Sequence, residues 1–509
     1  MKHTPTVNLL RICIYALLIV GVCAAILGVV RRTRGNSSCR NCNVVIIDID
    51  GLRSDAIRCL GEGNTITPNL CTLVRQSVYF TNAFSQAPWT APSEYSMITS
   101  LYPNRSLVGW SQDILSASVP TMAQYFQNHR YQTAYAGYVR DYNTFSEDSH
   151  GHPGYDFTSY NADLQSEWPA IISKLEQSRR PYFFHGYIST MHLPYLLLPG
   201  ETPLRSLKSP KGLPNTYPEF VPIWEQYVRR HATEIFSETA VRENANMFRR
   251  QDPGEIIAYF KFLERNRDVE RLPNPFWTKR DAYLQYIDFH SPDDALYLTM
   301  MYESKVFALD AKMKSLTEYL LRPDIASRTV IVLTSSHGEA FGEHAMFGHY
   351  NGVYNEAYHV PLAIRIPGYA GNVTSAVTEN LDLFPTLSDI TLGVVPTGIQ
   401  GKSLRLSLED SSARVADYAI SMNNGYFYAI QDPSYKLMVD SRARRVALYD
   451  LKRDPGEFTD IIMRKPDIAR YYFGILNSRI VLDLNGYQPF EGFKYAPGTR
   501  EKLIERGYF

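Results

Sequence analysis

Two short segments of this chain carry residue types that do chemistry. Thr90 sits in Ala87-Pro88-Trp89-Thr90-Ala91-Pro92-Ser93, a hydroxyl held between prolines at a predicted helix start. Upstream, the apolar run Val44-Val45-Ile46-Ile47 ends in Asp48-Ile49-Asp50-Gly51-Leu52-Arg53-Ser54-Asp55, which sets carboxylates at the tip of a buried strand. A hydroxyl and a carboxylate that meet at the end of a parallel sheet point to metal-activated nucleophilic attack on an oxyanion ester. Each residue also has an ordinary reading, Thr90 as a helix N-cap and Asp50 as a cap after a strand.

The elements that must position these groups alternate. Val44–Ile47, Thr133–Tyr138, Tyr182–Ile188, Thr329–Thr334 and Leu362–Ile366 are apolar, β-rich runs. Helix-like stretches, among them Val119–Asn128 and Tyr302–Leu321, lie between them. This alternation predicts an open α/β sheet with helices on both faces. Sites in such sheets collect at the carboxyl ends of strands, and Asp50, Ser336 and His337 all follow strand candidates. Residues 43–414 read as the main domain. Within it, 198–295 has no clear strand and is rich in charge and aromatics, which reads as a helical insertion, either a surface elaboration or a lid over the site. From residue 415 the pattern changes to short runs, Tyr426–Ile430 and Lys436–Val439, then a helix from Pro466, giving a small C-terminal α+β subdomain over 415–509.

The ordered motifs resemble the sulfatase family of the alkaline-phosphatase superfamily. They begin with Asp50-Gly51-Leu52-Arg53-Ser54-Asp55, Thr67-Pro68-Asn69-Leu70, the Thr90 segment and Met191-His192-Leu193-Pro194-Tyr195. Thr334-Ser335-Ser336-His337-Gly338-Glu339, Gly342-Glu343-His344, Gly348-His349, Leu381-Asp382-Leu383-Phe384-Pro385 and Asp454-Pro455-Gly456-Glu457 continue the series. The resemblance implies an alkaline-phosphatase-like fold, a large mixed, mostly parallel sheet flanked by helices. It also implies a divalent metal (Ca, Mg, Mn or Zn) bound to the nucleophile and to a substrate oxygen, with Asp50, Thr90, Ser336 and His337 at metal positions. Thr90 matches the nucleophile, while His192 and His349 match groups that touch the substrate or protonate the leaving oxygen. Asp48, about 7 Å deeper along the strand, is a further carboxylate on the same face.

Two departures from the family pattern bear on the chemistry. Sulfatases proper carry Cys or Ser, oxidised to formylglycine, where this chain has Thr90, and Arg where it has Glu94. Threonine cannot become that aldehyde, so no formylglycine is expected and phosphoryl chemistry through a threonine alkoxide is favoured over sulfate hydrolysis. The family also places Asp at the position of Ser336, and a hydroxyl is a poorer ligand for a hard cation than a carboxylate. The resulting expectation is a hydrolase or transferase acting on sulfate or phosphate esters. The alternative is an inactive relative that keeps the pocket for a glycan or lipid head group.

The bulk numbers fit such a domain. The chain has 509 residues, 45% hydrophobic and 20% charged, with 52 basic and 52 acidic residues, which argues against a nucleic-acid binder. Ile12–Val30 is uncharged and as a helix is about 28 Å long, one hydrocarbon core. It predicts a single-pass anchor within 1–34, followed by a linker over 35–42, with a cleaved signal peptide as the rival. The flanking arginines favour a cytoplasmic C-terminal side, whereas the resemblance and the sequons at Asn36, Asn104 and Asn372 favour an extracytoplasmic domain. Cys39 and Cys42 form a CxxC, and Cys59 and Cys71 follow. No zinc-ligand pattern accompanies them, which leaves disulfides and free thiols as the readings.

Overall fold

The computed structural model describes residues 39–484, apart from 61–65, 107–114, 117, 138–153, 161–163, 190, 205–208, 231–274, 289, 350–351, 424–426 and 441–444. The strands run in chain order as β1 (Asn43–Ile49), β2 (Val78–Phe84), β3 (Gln132–Gly137), β4 (Phe157–Tyr160), β5 (Tyr182–Ile188), β6 (Thr329–Thr334), β7 (Ala340–Phe341) and β8 (Phe347–Gly348). They continue as β9 (Leu362–Arg365), β10 (Asn372–Glu379), β11 (Ala419–Asn423), β12 (Phe427–Gln431), β13 (Tyr435–Asp440) and β14 (Arg445–Asp450). Eight form one sheet in the order β10-β2-β9-β6-β1-β5-β3-β4. Only β9 runs antiparallel to its neighbours, β6 and β2. β1 lies near the centre, parallel to both β5 and β6.

Every residue of β1 is buried, because helices cover both faces and a doubly covered parallel strand reads as a continuous apolar run. Val45, Ile47 and Ile49 pack with the helices Pro68–Val74, Glu167–Glu176 and Pro292–Leu320. Val44 and Ile46 pack on the opposite side with Thr90–Thr99, Met122–Asn128 and Leu383–Thr391. β11 to β14 form a separate antiparallel sheet, against which the helix Pro466–Leu484 packs.

In the large sheet β2, β4 and β10 have no counterpart among the sequence-derived strands, and outside it neither do β7, β8, β11 and β14. β4 and β10 are the outermost strands, and the first half of β10 is largely exposed, so neither shows the buried run that marks a central strand. The helix expected from Tyr302 begins at Pro292, capped by the Ser291 hydroxyl accepting from the Asp294 N–H at 3.2 Å. The one expected from Val119 begins at Met122, where Thr121 and Gln124 form a capping box. In the insertion, the described parts include the helices Tyr217–Arg230 and Pro275–Leu284. Cys39 is bonded to Cys42 and Cys59 to Cys71, which decides the cysteine question in favour of disulfides. No described helix is long and apolar enough to cross a membrane, and the anchor expected at 12–30 lies outside the described residues.

Candidate active site

Thr90 is the first residue of the helix Thr90–Thr99, and Trp89, in extended conformation, is the N-cap. The ordinary reading of Thr90 as a cap therefore does not hold. Its hydroxyl donates to the Asp50 carboxylate, 3.2 Å from either oxygen, and lies 3.2 Å from His337 Nε2. The approach to this helix is fixed from behind. Ser93 Oγ donates to the Ala87 carbonyl at 2.7 Å and lies 2.8 Å from Ser85 Oγ. Pro92 falls in the first turn, where its missing N–H costs nothing.

Asp50 is the hub of the site. Its N–H donates to the Ile188 carbonyl at the end of β5, at 2.9 Å, and Gly51 then turns the chain at φ +75°. The carboxylate is 2% exposed. It accepts from the hydroxyls of Ser336, Tyr187 and Thr90. His337 Nε2 lies 3.0 Å away and His192 Nε2 3.3 Å. The loop after β6 is held by Ser335, whose Oγ accepts from Leu52 N–H at 3.0 Å and donates to the His337 carbonyl at 2.6 Å. Gly338 follows because a Cβ there would sit 2.1 Å from the Glu356 carbonyl oxygen.

The three histidines form one cluster. Ring centroids are 5.2 Å apart for His192 and His337, 4.9 Å for His192 and His349, and 4.3 Å for His337 and His349. Glu339, fully buried, accepts from His349 Nδ1 and from the Tyr195 hydroxyl. The structure thus brings together Thr90, Asp50, His192, Ser336 and His337, with His349 on the far side of the histidine cluster. Tyr187, Tyr195 and Glu339 belong to the site but were not singled out from the sequence. Glu339 lies in the His337 motif, whereas Tyr187 becomes visible only once β5 is known to pair with β1. His344 does not join them. It stacks on Tyr354 at 3.7 Å and bonds Glu356 and the Glu457 carbonyl, a packing role.

The electrostatics follow from burial and from the hub. Burial raises Asp50's pKa, but His192 and His337 outweigh it and hold the carboxyl far below its usual range. Burial lowers His337, and the Asp50 charge and hydrogen bond overcome it, so its pKa is raised. His192, with burial dominant over the pull of Asp50, is pushed down to about 4. Burial and then the neighbouring His337 charge push His349 well below its ordinary value.

The donor set fits a divalent cation. One carboxylate and two hydroxyls converge with three imidazoles whose ligand atoms all lie within 4.8 Å of one another. Imidazole nitrogens suit zinc- or manganese-class ions better than calcium, which takes oxygen ligands. Asp48 contributes nothing here, since it faces His185 and Glu94 instead. Burial, then the Asp48 charge, pushes the Glu94 carboxyl well above its usual range.

A family model described as Sulfatase matches residues 42–394, and one described as N-sulphoglucosamine sulphohydrolase, C-terminal, matches 342–471. The chain is 24% identical over 476 residues to an N-acetylglucosamine-6-O-sulfatase of Bacteroides thetaiotaomicron, covering 82% of each. Human iduronate 2-sulfatase is 26% identical over 401 residues, covering 73% of this chain and 67% of the relative. Among solved structures, the phosphonate monoester hydrolase of Agrobacterium radiobacter aligns with a TM-score of 0.61 at 19% identity, covering 87% of this chain and 96% of that one. That likeness shows the shared alkaline-phosphatase-like fold.

Proposed function

Because the chain belongs to the sulfatase family over residues 42–394, we propose that it is a metal-dependent ester hydrolase whose nucleophile is the Thr90 hydroxyl, acting on phosphate esters in preference to sulfate esters. The observation that carries this reading is the position of Thr90 Oγ1, 3.2 Å from Asp50 and from His337 at the start of a buried helix. A helix N-terminus also favours an anion.

Asp50, Thr90, Ser336 and His337 would hold the cation, which when bound supplies Lewis acidity to the hydroxyl and to the ester oxygen. The chain's own groups do the rest. Asp50 and His337 orient the Thr90 hydroxyl. Its oxygen, having given its proton to solvent, bonds to phosphorus as the bond to the leaving oxygen breaks; water then attacks phosphorus, the bond to the Thr90 oxygen breaks, and a proton from that water restores the hydroxyl. His192, 11% exposed at its side chain, stands on the solvent side of the hub. An arriving anionic ester favours its imidazolium, which can then give a proton to the leaving oxygen. Glu339 holds the ring of His349 for the same task. Because one relative is an N-acetylglucosamine-6-O-sulfatase, esters on a sugar are the first substrates to try, with lipid head groups second.

The test is turnover of an aryl phosphodiester, a phosphonate monoester and an aryl sulfate by the parent, Thr90→Ser and Thr90→Ala proteins. Loss of the nucleophile is expected to cost at least about 10³-fold, and Thr90→Ser should keep activity. Turnover that survives Thr90→Ala removes Thr90 from the mechanism. One observation favours a second reading: Asp50 is the lone carboxylate among these ligands, and three hydroxyls already donate to it. Under that reading the pocket binds a sulfated or phosphorylated head group without turnover.

A further inference from the structure

Beneath the Asp50 hub lies a second group of ionisable side chains that the proposed reaction does not use. Asp48 belongs to β1, two residues before Asp50, and so lies about 7 Å deeper along the strand on the same face. Glu94 follows Thr90 by four residues, one turn further along the same side of the helix. His185 is on β5, opposite Ile46 in register. Asp48 and His185 are 0% exposed and Glu94 5%. Both oxygens of Asp48, Oε1 of Glu94 and Nε2 of His185 are sealed from solvent and receive no hydrogen bond from a neighbouring donor, while the Asp48 and Glu94 carboxyls lie within hydrogen-bonding reach of each other.

The three are aimed at one another. His185 Nδ1 lies 3.0 Å from the Tyr155 hydroxyl, which directs Nε2 toward the carboxyls, 3.8 Å from Asp48 Oδ2 and 4.0 Å from Glu94 Oε2. One oxygen of each carboxyl and one ring nitrogen all lie within 4.8 Å of one another. Among the described residues, no lysine or arginine pairs with either carboxyl; their ion pairs are with His185 alone. Two sealed carboxyls and an imidazole nitrogen that no donor reaches are the donor set of a bound cation.

We propose that Asp48, Glu94 and His185 form a second divalent-cation site, taking a first-row transition ion of the zinc or manganese class. An imidazole with two carboxylates suits these ions, while calcium calls for more oxygens than the group provides. A tetrahedral ion with ligand bonds of about 2.1 Å holds its donors about 3.4 Å apart, so small side-chain rotations close the three onto it. The Tyr155 hydroxyl would accept from Nδ1–H and fix the tautomer that leaves Nε2 free to ligate. The ion would tie the Thr90 helix to β1 and β5 and set positive charge under the position where the substrate oxyanion sits. Its presence is independent of whether Thr90 attacks an ester. The rival is a proton shared by Glu94 and Asp48 with no metal.

Metal content separates the two. The full-length chain, Asp50→Asn and Asp50→Asn/Glu94→Gln proteins are produced with Mn²⁺ in the medium, washed with chelator and measured by elemental mass spectrometry. Asp50→Asn should keep one ion per chain and the double variant none. Equal metal in both, or none in Asp50→Asn, overturns the site. Should a variant fail to fold, anomalous scattering at the manganese edge from crystals of the unaltered chain decides the matter. A peak between Asp48, Glu94 and His185 supports the site, and a flat map there in Mn²⁺-soaked crystals overturns it.

Discussion

Replacing Ser336 by aspartate probes the weakest point of the candidate metal centre. Ser336 donates its hydroxyl to Asp50 Oδ1, so Ser336→Asp sets a second carboxylate about 4 Å from the first. Two like charges at that distance repel by about 4 kcal/mol at an effective dielectric of 20. His337, 3.0 Å from Asp50 and with its pKa raised, absorbs part of this, leaving about 2 kcal/mol of strain without metal. A cation between the carboxylates removes that strain and gains an anionic ligand. The variant should therefore unfold earlier than the parent in chelator, and bind Mn²⁺ at least about thirtyfold more tightly, since 1.4 kcal/mol is tenfold. Calorimetry and thermal unfolding with and without chelator read both effects. Unchanged affinity together with unchanged stability in chelator would refute the placement of Ser336 at the metal.

Other expectations concern stability and location. Lys436 Nζ, buried, lies 2.7 Å from Glu457 Oε1 and 2.9 Å from Asn355 Oδ1. Lys436→Met strands the Glu457 charge and should cost about 3–5 kcal/mol in denaturant unfolding, most of it recovered by adding Glu457→Gln; no recovery would show that the lost packing of Lys436 dominates. Burial lowers the pKa of His344, but the hydrogen bond and charge of Glu356 outweigh it and raise it above the ordinary 6.5. A raised histidine stabilises fully below its unfolded pKa and loses that contribution as pH rises through the folded value. His344→Gln should therefore destabilise more at pH 6 than at pH 9, and an equal loss at both would exclude the charged pair. Full-length protein should stay in the membrane fraction after carbonate washing while a chain starting at Asn43 is released, and soluble mature protein beginning beyond residue 30 would contradict an anchor at 12–30.

Much of the framework was legible from local pattern. β5 and β6 coincide with apolar runs in the sequence, and β1 extends its run by one residue before and two after, because central parallel strands are buried on both faces. The outer strands β4 and β10 were not legible, since the residues of an edge need not be apolar. β9 was found as a strand, but its direction was not, because nothing in Leu362–Arg365 distinguishes an antiparallel from a parallel neighbour.

For the site, the sequence by itself determined the candidate residue types: a threonine at a helix start, an aspartate at a strand end, and a serine and histidine after another strand. It also determined two departures with chemical consequences, Thr90 and Ser336. Tertiary structure alone decided who touches whom. Tyr187 reaches Asp50 only because β5 lies beside β1. Asp48, a plausible ligand by spacing, turns instead toward Glu94 and His185. The physical reason is that periodicity reports which face of an element is buried, while pairing and helix docking, between segments as far apart as Asp50 and Ser336, choose the partners on that face.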